Sequence, residues 1–306
     1  MIRKLKSGGF IWLFFTLLVF LGLIKLASWQ YHRGIEKDHR TVRIAELNKE
    51  TPLSLSQLVE LSVIGYLSEK LSKEKRLDKE SSLIAEDIRT SKSSINNKDG
   101  INDYPVMIKG TFVKEAVFLL DNQVEKGRLG YRVLQVVQTE KYSVLVNLGW
   151  VQGSINRNEL PTVKPYSKAH TFKGHVRLMD KGIMLMEQDF THVQWPLRVQ
   201  QIELDKFSTL LAKQLPKLFY SNQKKALLPF VIYVDESEKI GFKKNWHAIV
   251  MPAEKHYGYA FQWASLAVAW LLLMAGLAVK TNSRNSTENG NKKNTINNEN
   301  EVIKHE

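Results

Sequence analysis

The sequence predicts a membrane hairpin: two transmembrane helices flanking a β-dominated (α+β) soluble domain, an antiparallel barrel or sandwich. Three observations predict it. One apolar run lies near the start, Phe10–Ala27, and a second near the end, Tyr259–Val279. At about 1.5 Å per residue they extend about 27 and 32 Å, close to the roughly 30 Å hydrocarbon core of a bilayer. Between them, from Tyr104 onward, short β-rich runs recur with turn residues separating them.

The first run has two readings. Arg3, Lys4 and Lys6 before it would suit a signal peptide, but Leu26-Ala27-Ser28-Trp29 is a poor small-x-small cleavage site. An uncleaved anchor also gives Lys25 a place to snorkel and puts Trp29 and Tyr31 at the interface, where aromatic side chains gather. The second run is apolar except for Gln262 and is long for the buried core helix that is its alternative. The basic, acid-free N-terminal tail keeps residues 1–9 cytoplasmic by the positive-inside rule. Two spans return the C-terminus to that side, where Lys280, Arg284, Lys292 and Lys293 agree. The expected division is therefore a cytoplasmic tail (1–9), a first span (10–28), a periplasmic domain (29–256), a second span (257–279) and a disordered, asparagine-rich cytoplasmic tail (280–306). A bacterial inner membrane is the expected home.

Composition removes several function classes. The chain has no cysteine. That excludes disulfides, a c-type haem attachment motif and a thiolate metal site, and leaves stability to the apolar core. The net charge of +13 is spread rather than striped, so no nucleic-acid partner is expected; attraction to lipid headgroups accounts for it. There is no nucleophile elbow, no HExxH and no glycine-rich phosphate loop, so no enzyme is expected.

Within the domain, Trp29–Glu50 continues the first span as a charged helix. Residues 68–103 balance acid and base without an aromatic, and read as a mobile insertion, helical only around Ser81–Arg89. Strands are expected over Tyr104–Val113, Ala116–Val124, Tyr131–Thr139, Tyr142–Gly153, His170–Met179, Gly182–Phe190 and Leu227–Asp235, with a turn at Lys126–Gly130 and a helix at Leu204–Leu215. Asp121 and Glu125 form a possible carboxylate pair, but a hairpin flank is the plainer reading. His170 and His175 are five apart and so face opposite sides of a strand, and His192 lies alone; these do not make a metal site.

The chemistry is densest at Trp246–Trp263 (WHAIVMPAEKHYGYAFQW). Pro252 ends a strand-like His247–Met251, and Glu254 suits a helix N-terminus. His256 sits at the mouth of the second span, sharing a helical face with Tyr259, Ala260 and Trp263. An imidazole flanked by flat aromatics suits a haem; an interfacial histidine among belt aromatics is the alternative.

His256–Trp263 (HYGYAFQW) resembles the His-Leu-x-Tyr-Ala-x-Gln-Trp signature of the surfeit-locus-one family of cytochrome c oxidase assembly factors. Trp29–Lys37 (WQYHRGIEK), Tyr104–Phe112 (YPVMIKGTF), Asn147–Val151 (NLGWV) and Gln194–Asp205 (QWPLRVQQIELD) are similar to further segments of that family, in the same order. This chain has leucine at Leu148 where the family usually has arginine, and the insertion and the asparagine-rich tail are not typical. The resemblance implies a non-catalytic assembly factor for a haem-copper oxidase. It implies haem a as a transient cofactor with His256 as the iron ligand, and Tyr259, Gln262 and Trp263 on the same motif. Trp29, Gln30 and Arg33 lie at the same height on the first helix, and Arg33 faces either a haem propionate or a lipid phosphate. The implied partners are the catalytic subunit of the oxidase, haem-synthesis or other assembly proteins, and the bilayer. A haem-independent scaffold and an unrelated envelope binding module stay open.

Overall fold

The structure, a computed structural model, describes residues 7–62, 100–157, 159–179, 188, 190, 193–219 and 227–302. The expected insertion up to residue 99, His192 and most of the expected strand Gly182–Phe190 lie outside these. The chain divides into two compact units, Met1–Val42 with Ile249–Glu306, and Arg43–Ala248.

The first unit is a pair of helices, α1 (Ser7–Leu47) and α4 (Ala253–Val302). Both contain stretches long and apolar enough to cross a membrane, Trp12–Leu47 and Ala253–Thr281. Their large apolar side chains point outward: Phe14 is 60% exposed, Phe261 76% and Leu272 70%. A core helix of a soluble protein would bury them, so that alternative is removed, and the pair fits a two-pass membrane protein. The helices meet along small residues. Thr16, Gly34, Ala253, Ala260 and Ala267 are buried, and such residues let two backbones approach closely. The Trp270 indole donates to the Thr16 carbonyl (3.1 Å). α4 runs on to Val302, through the described part of the asparagine-rich tail. A helix already formed extends without paying a second nucleation cost, even through poor formers.

The second unit is a mixed sheet with helices on one face. Its strands are β1 (Leu53–Ser54), β2 (Pro105–Glu125), β3 (Arg128–Gln138), β4 (Ser143–Gln152), β5 (Ala169–Arg177), β6 (Leu197–Val199) and β7 (Leu227–Val234), with α2 (Leu204–Gln214) and α3 (Pro216–Phe219) between β6 and β7. The order is β1-β2-β3-β4-β7-β5, with β6 on β2. The two runs expected at Tyr104–Val113 and Ala116–Val124 are one strand, bulged between Phe112 and Val117, where it bends. Its first seven residues pair with β5 and the remainder with β3. The expectation of an antiparallel barrel or sandwich is corrected in one respect: the sheet is mixed, with β5 pairing both β7 and β2. β4–β7, β1–β2 and β6–β2 are parallel; β7 returns after the α2–α3 crossover rather than through a hairpin.

The β2–β3 turn is Lys126–Gly127 alone, tighter than expected. Both residues have positive φ (48° and 77°), as a two-residue type I′ hairpin requires. Glu125 flanks it and pairs with Lys243 at 2.6 Å, which holds its carboxyl below the usual range. Asp121 instead accepts from the Asn122 amide, so the two carboxylates do not act as a pair. Alternation along the strands buries two apolar layers. One contains Val106, Ile108, Phe112, Val133, Leu148, Phe172 and Ile232. The other packs Phe118, Leu134, Leu145 and Val231 against Phe207, Leu210 and Leu211 of α2, with the Phe118 and Phe207 rings stacked at 4.3 Å. Residues 100–103, the described end of the expected insertion, are part of this unit: Ile101 and Asp103 are buried.

Candidate functional site

Two places gather polar chemistry, one in each unit. In the helix pair, α4 starts at Ala253, directly after Pro252, whose carbonyl accepts the Lys255 amide. His247–Met251, expected to be strand-like, is irregular; it has no ladder partner. One turn into α4, His256 turns toward α1 and is 7% exposed. Its Nδ1 lies 2.8 Å from Oε1 of Gln30. Its Nε2 is buried and has no hydrogen-bond partner among the described residues. An orphaned buried nitrogen is uncommon and asks for a ligand.

The expected residues divide around that pair. Gln30 and His256 are brought into contact, and Trp263 is half-buried two turns along α4. Trp29 and Tyr259 are exposed (58% and 46%), as is Gln262. Tyr259 therefore does not share the inward face with His256, Ala260 and Trp263; at i+3 it falls on the edge of that face. Arg33 is paired with Glu36 one turn away at 2.6 Å, an exposed pair of little energetic consequence. Sequence reasoning missed the next contact outward. The Tyr257 hydroxyl donates to Asp38 at 2.6 Å, and the Tyr257 ring covers Gly34 so closely that a Cβ there would overlap it. Asp38 lies two turns beyond Gln30 on the same side of α1, a spacing that was available as a signal.

The residues fit a haem in one respect that matters. A neutral imidazole bonded through Nδ1 and unpartnered at Nε2 is the form that ligates iron. Tyr259 and Trp263 supply flat rings nearby in sequence, and His256 is the nitrogen donor. Among the described residues no group of three or more histidine or acidic side chains is placed to hold a bare metal ion.

The second place is a pocket of 460 Å³ lined by Asn48, Asp103, His175, Asp235, Trp246 and His247, among others. His175 Nε2 is 3.1 Å from Asn48 Oδ1. Its Nδ1 is 3.6 Å from Asp235 Oδ2, and the Trp246 ring lies beside it at 5.7 Å. Burial pushes the His175 imidazole below 6.5; Asp235 and Asp103 oppose this, and Lys173 and Arg177 add to it. Burial also acts to raise Asp235, but hydrogen bonds from Ser237 and the nearby His175 bring it below its ordinary value.

A consequence is a stability that depends on pH. Between the folded and unfolded pKa of His175 the unfolded chain binds the extra proton, so stability rises with pH there. The contribution is complete above about 6.5 and is lost as pH falls toward the lower folded value. Urea midpoints of the full chain in detergent should drop through that range in the wild type and drop less in His175→Gln. Equal slopes in the two would show that His175 is not the group responsible.

The SURF1 family model matches residues 17–268. The match begins within the apolar part of α1, takes in the whole sheet, and ends in α4 beyond His256. Among curated proteins none matches the chain. With most of the sequence matched, in the order helix, sheet domain, helix, the chain belongs to the SURF1 family, a family of cytochrome oxidase assembly.

Proposed function

We propose that this protein holds haem a transiently at His256 while the catalytic subunit of a haem-copper oxidase is assembled. The observation that carries this reading is the buried, unpartnered Nε2 of His256, whose other nitrogen is held by Gln30. A buried polar atom without a partner costs free energy that a ligand would recover. Iron bound there would meet a single imidazole nitrogen from this chain. Because Nε2 is enclosed, loading requires the side chains around it to part. Tyr259, Trp263, Trp29 and the exposed Arg33 are the groups available to line the ring and its propionates. Arg33 would leave Glu36 to do so. The segment between the two spans lies on the outer face of a bacterial inner membrane in this reading, with both termini inside.

The test is the absorption spectrum of the full chain purified from cells that make haem a. Wild type should carry the haem bands, and His256→Ala should lose them or shift them. A haem-free wild type, or an unchanged spectrum in the variant, removes haem from the function. In a deletion strain, oxidase activity fully restored by His256→Ala would instead favour a haem-independent scaffold.

A further inference from the structure

We propose that Gln30 is the positioning residue that selects the tautomer of His256, and that its neutral amide keeps the imidazole a weak, releasable ligand. The second half rests on the reading of His256 as a haem ligand; the first does not.

Gln30 Oε1 and His256 Nδ1 are 2.8 Å apart. Heavy atoms alone allow two proton arrangements across such a contact. If the amide oxygen faces Nδ1, the ring proton sits on Nδ1 and is donated, and Nε2 carries a lone pair. If the amide nitrogen faces Nδ1, Nε2 must carry the proton. Burial separates the two. Nε2 has no partner among the described residues and is closed off, and an orphaned buried N–H is the rarer defect in folded proteins. The oxygen therefore faces Nδ1, and Nε2 is a lone pair.

The helices are built to make this contact. Ala253 and Ala260, one turn to either side of His256 on α4, are buried, and so is Gly34, one turn beyond Gln30 on α1. Small side chains at these positions let the two backbones close until a glutamine reaches an imidazole. A longer separation would call for a water or a different residue.

The chemical nature of the acceptor has a further effect. A carboxylate behind a ligating histidine raises its basicity and tightens the metal bond. An amide oxygen fixes the ring equally well but carries no charge, so it orients without strengthening to the same degree. A protein that must give its cargo up gains from that choice.

The experiment uses the full chain in detergent micelles, labelled with ¹⁵N-histidine, first without haem. At about pH 8, where an ordinary imidazole is neutral, the His256 nitrogens are assigned by their loss in His256→Ala. Wild type should show Nδ1 protonated and Nε2 bare. Gln30→Leu should move the ring to a mixture or to the Nε2–H form, and Gln30→Glu should keep the wild-type pattern. Circular dichroism confirms that both variants remain helical, and Gln30→Glu preserves a side chain of the same length if Gln30→Leu does not fold. An Nε2–H ring in wild type, or one unmoved by Gln30→Leu, overturns the tautomer assignment. With haem a added, Gln30→Leu should bind about 10- to 100-fold more weakly. Gln30→Glu should bind at least as tightly as wild type and release haem more slowly. Equal release rates in wild type and Gln30→Glu overturn the releasable-ligand half. A wild type that shows the expected tautomer but binds no haem leaves the tautomer standing and removes the proposed haem role.

Discussion

Asp103→Ala is expected to destabilise the sheet unit by about 3–5 kcal/mol, the usual cost of breaking a buried ion pair from one side. Asp103 is 2% exposed and meets the Arg177 guanidinium at 2.5 Å. Arg177 closes β5, and its other terminal nitrogen reaches the Ala248 carbonyl at 3.5 Å. Without the carboxylate, a largely buried cation would keep its desolvation cost and lose its counter-charge. The backbone is committed too. The Asp103 amide donates to the Val176 carbonyl, the Val176 amide donates to the Tyr104 carbonyl, and Asp103 sits at φ 69°, which aspartate tolerates better than alanine. Asp103→Asn keeps the shape and the tolerance of positive φ while removing the charge, so its difference from wild type isolates the ion pair and its difference from alanine isolates shape and backbone. Equilibrium urea unfolding of the full chain in detergent, followed by tryptophan fluorescence, should give a clearly lower midpoint for both, lowest for alanine. A midpoint within experimental error of wild type for Asp103→Ala would show that Arg177 finds solvent instead.

Asp103 also marks a limit of reading from sequence. Residues 68–103 have the composition of a solvated insertion, and nothing in a charge count separates Asp103 from Asp99. What distinguishes it is a partner 74 positions away, which only the fold brings near. The same holds for the 460 Å³ pocket, whose walls come from the end of α1, Asp103 just before β2, His175 of β5 and the segment after β7. Periodicity located β2 to β5 and β7, because inward alternation is written residue by residue, but not the short β1 and β6. It did not tell β7's direction or the bulge that joins two runs into β2, because both are decided by crossover and pairing rather than by pattern. In the helix pair, apolar length and the place of His256 near the start of the second helix were legible. Its bond to Gln30 spans 226 positions and was visible only as two motifs at one height. Tyr259 was misplaced because a helical face is a range of angles, and i+3 lies at its rim when the neighbour is a single helix.

Gly149→Ala is expected to cost about 2–6 kcal/mol, from two separate causes. Gly149 has φ 115°, a region that side chains avoid at about 1–3 kcal/mol. A Cβ there would also stand 2.7 Å from the Lys243 carbonyl oxygen and 2.9 Å from the Phe242 carbonyl carbon, both backbone atoms that cannot swing away, and overpacking of this kind costs about 1–3 kcal/mol more. The local sequence explains why glycine is needed. Val133 pairs with Gly149 and Leu134 with Asn147, so Leu148 is the extra residue of a bulge. The Asn147 side-chain oxygen accepts the Gly149 amide at 3.0 Å. On the other edge, Phe242 donates to the Leu148 carbonyl and Trp150 to the Lys243 carbonyl, each at 2.7 Å. Asn147-Leu148-Gly149-Trp150 is thus an architectural device that fastens the segment leading to Trp246 and the pocket. Leu148 is wholly buried in the apolar layer, so the arginine usual in the family has no counterpart in this chain. Gly127→Ala supplies the control. Gly127 has φ 77° but nothing within 4 Å of its Cβ position, so that variant should show the conformational cost alone, about 1 kcal/mol. If Gly149→Ala unfolds no more easily than Gly127→Ala, the close approach of residues 242–243 is not rigid, and the bulge does not fasten them.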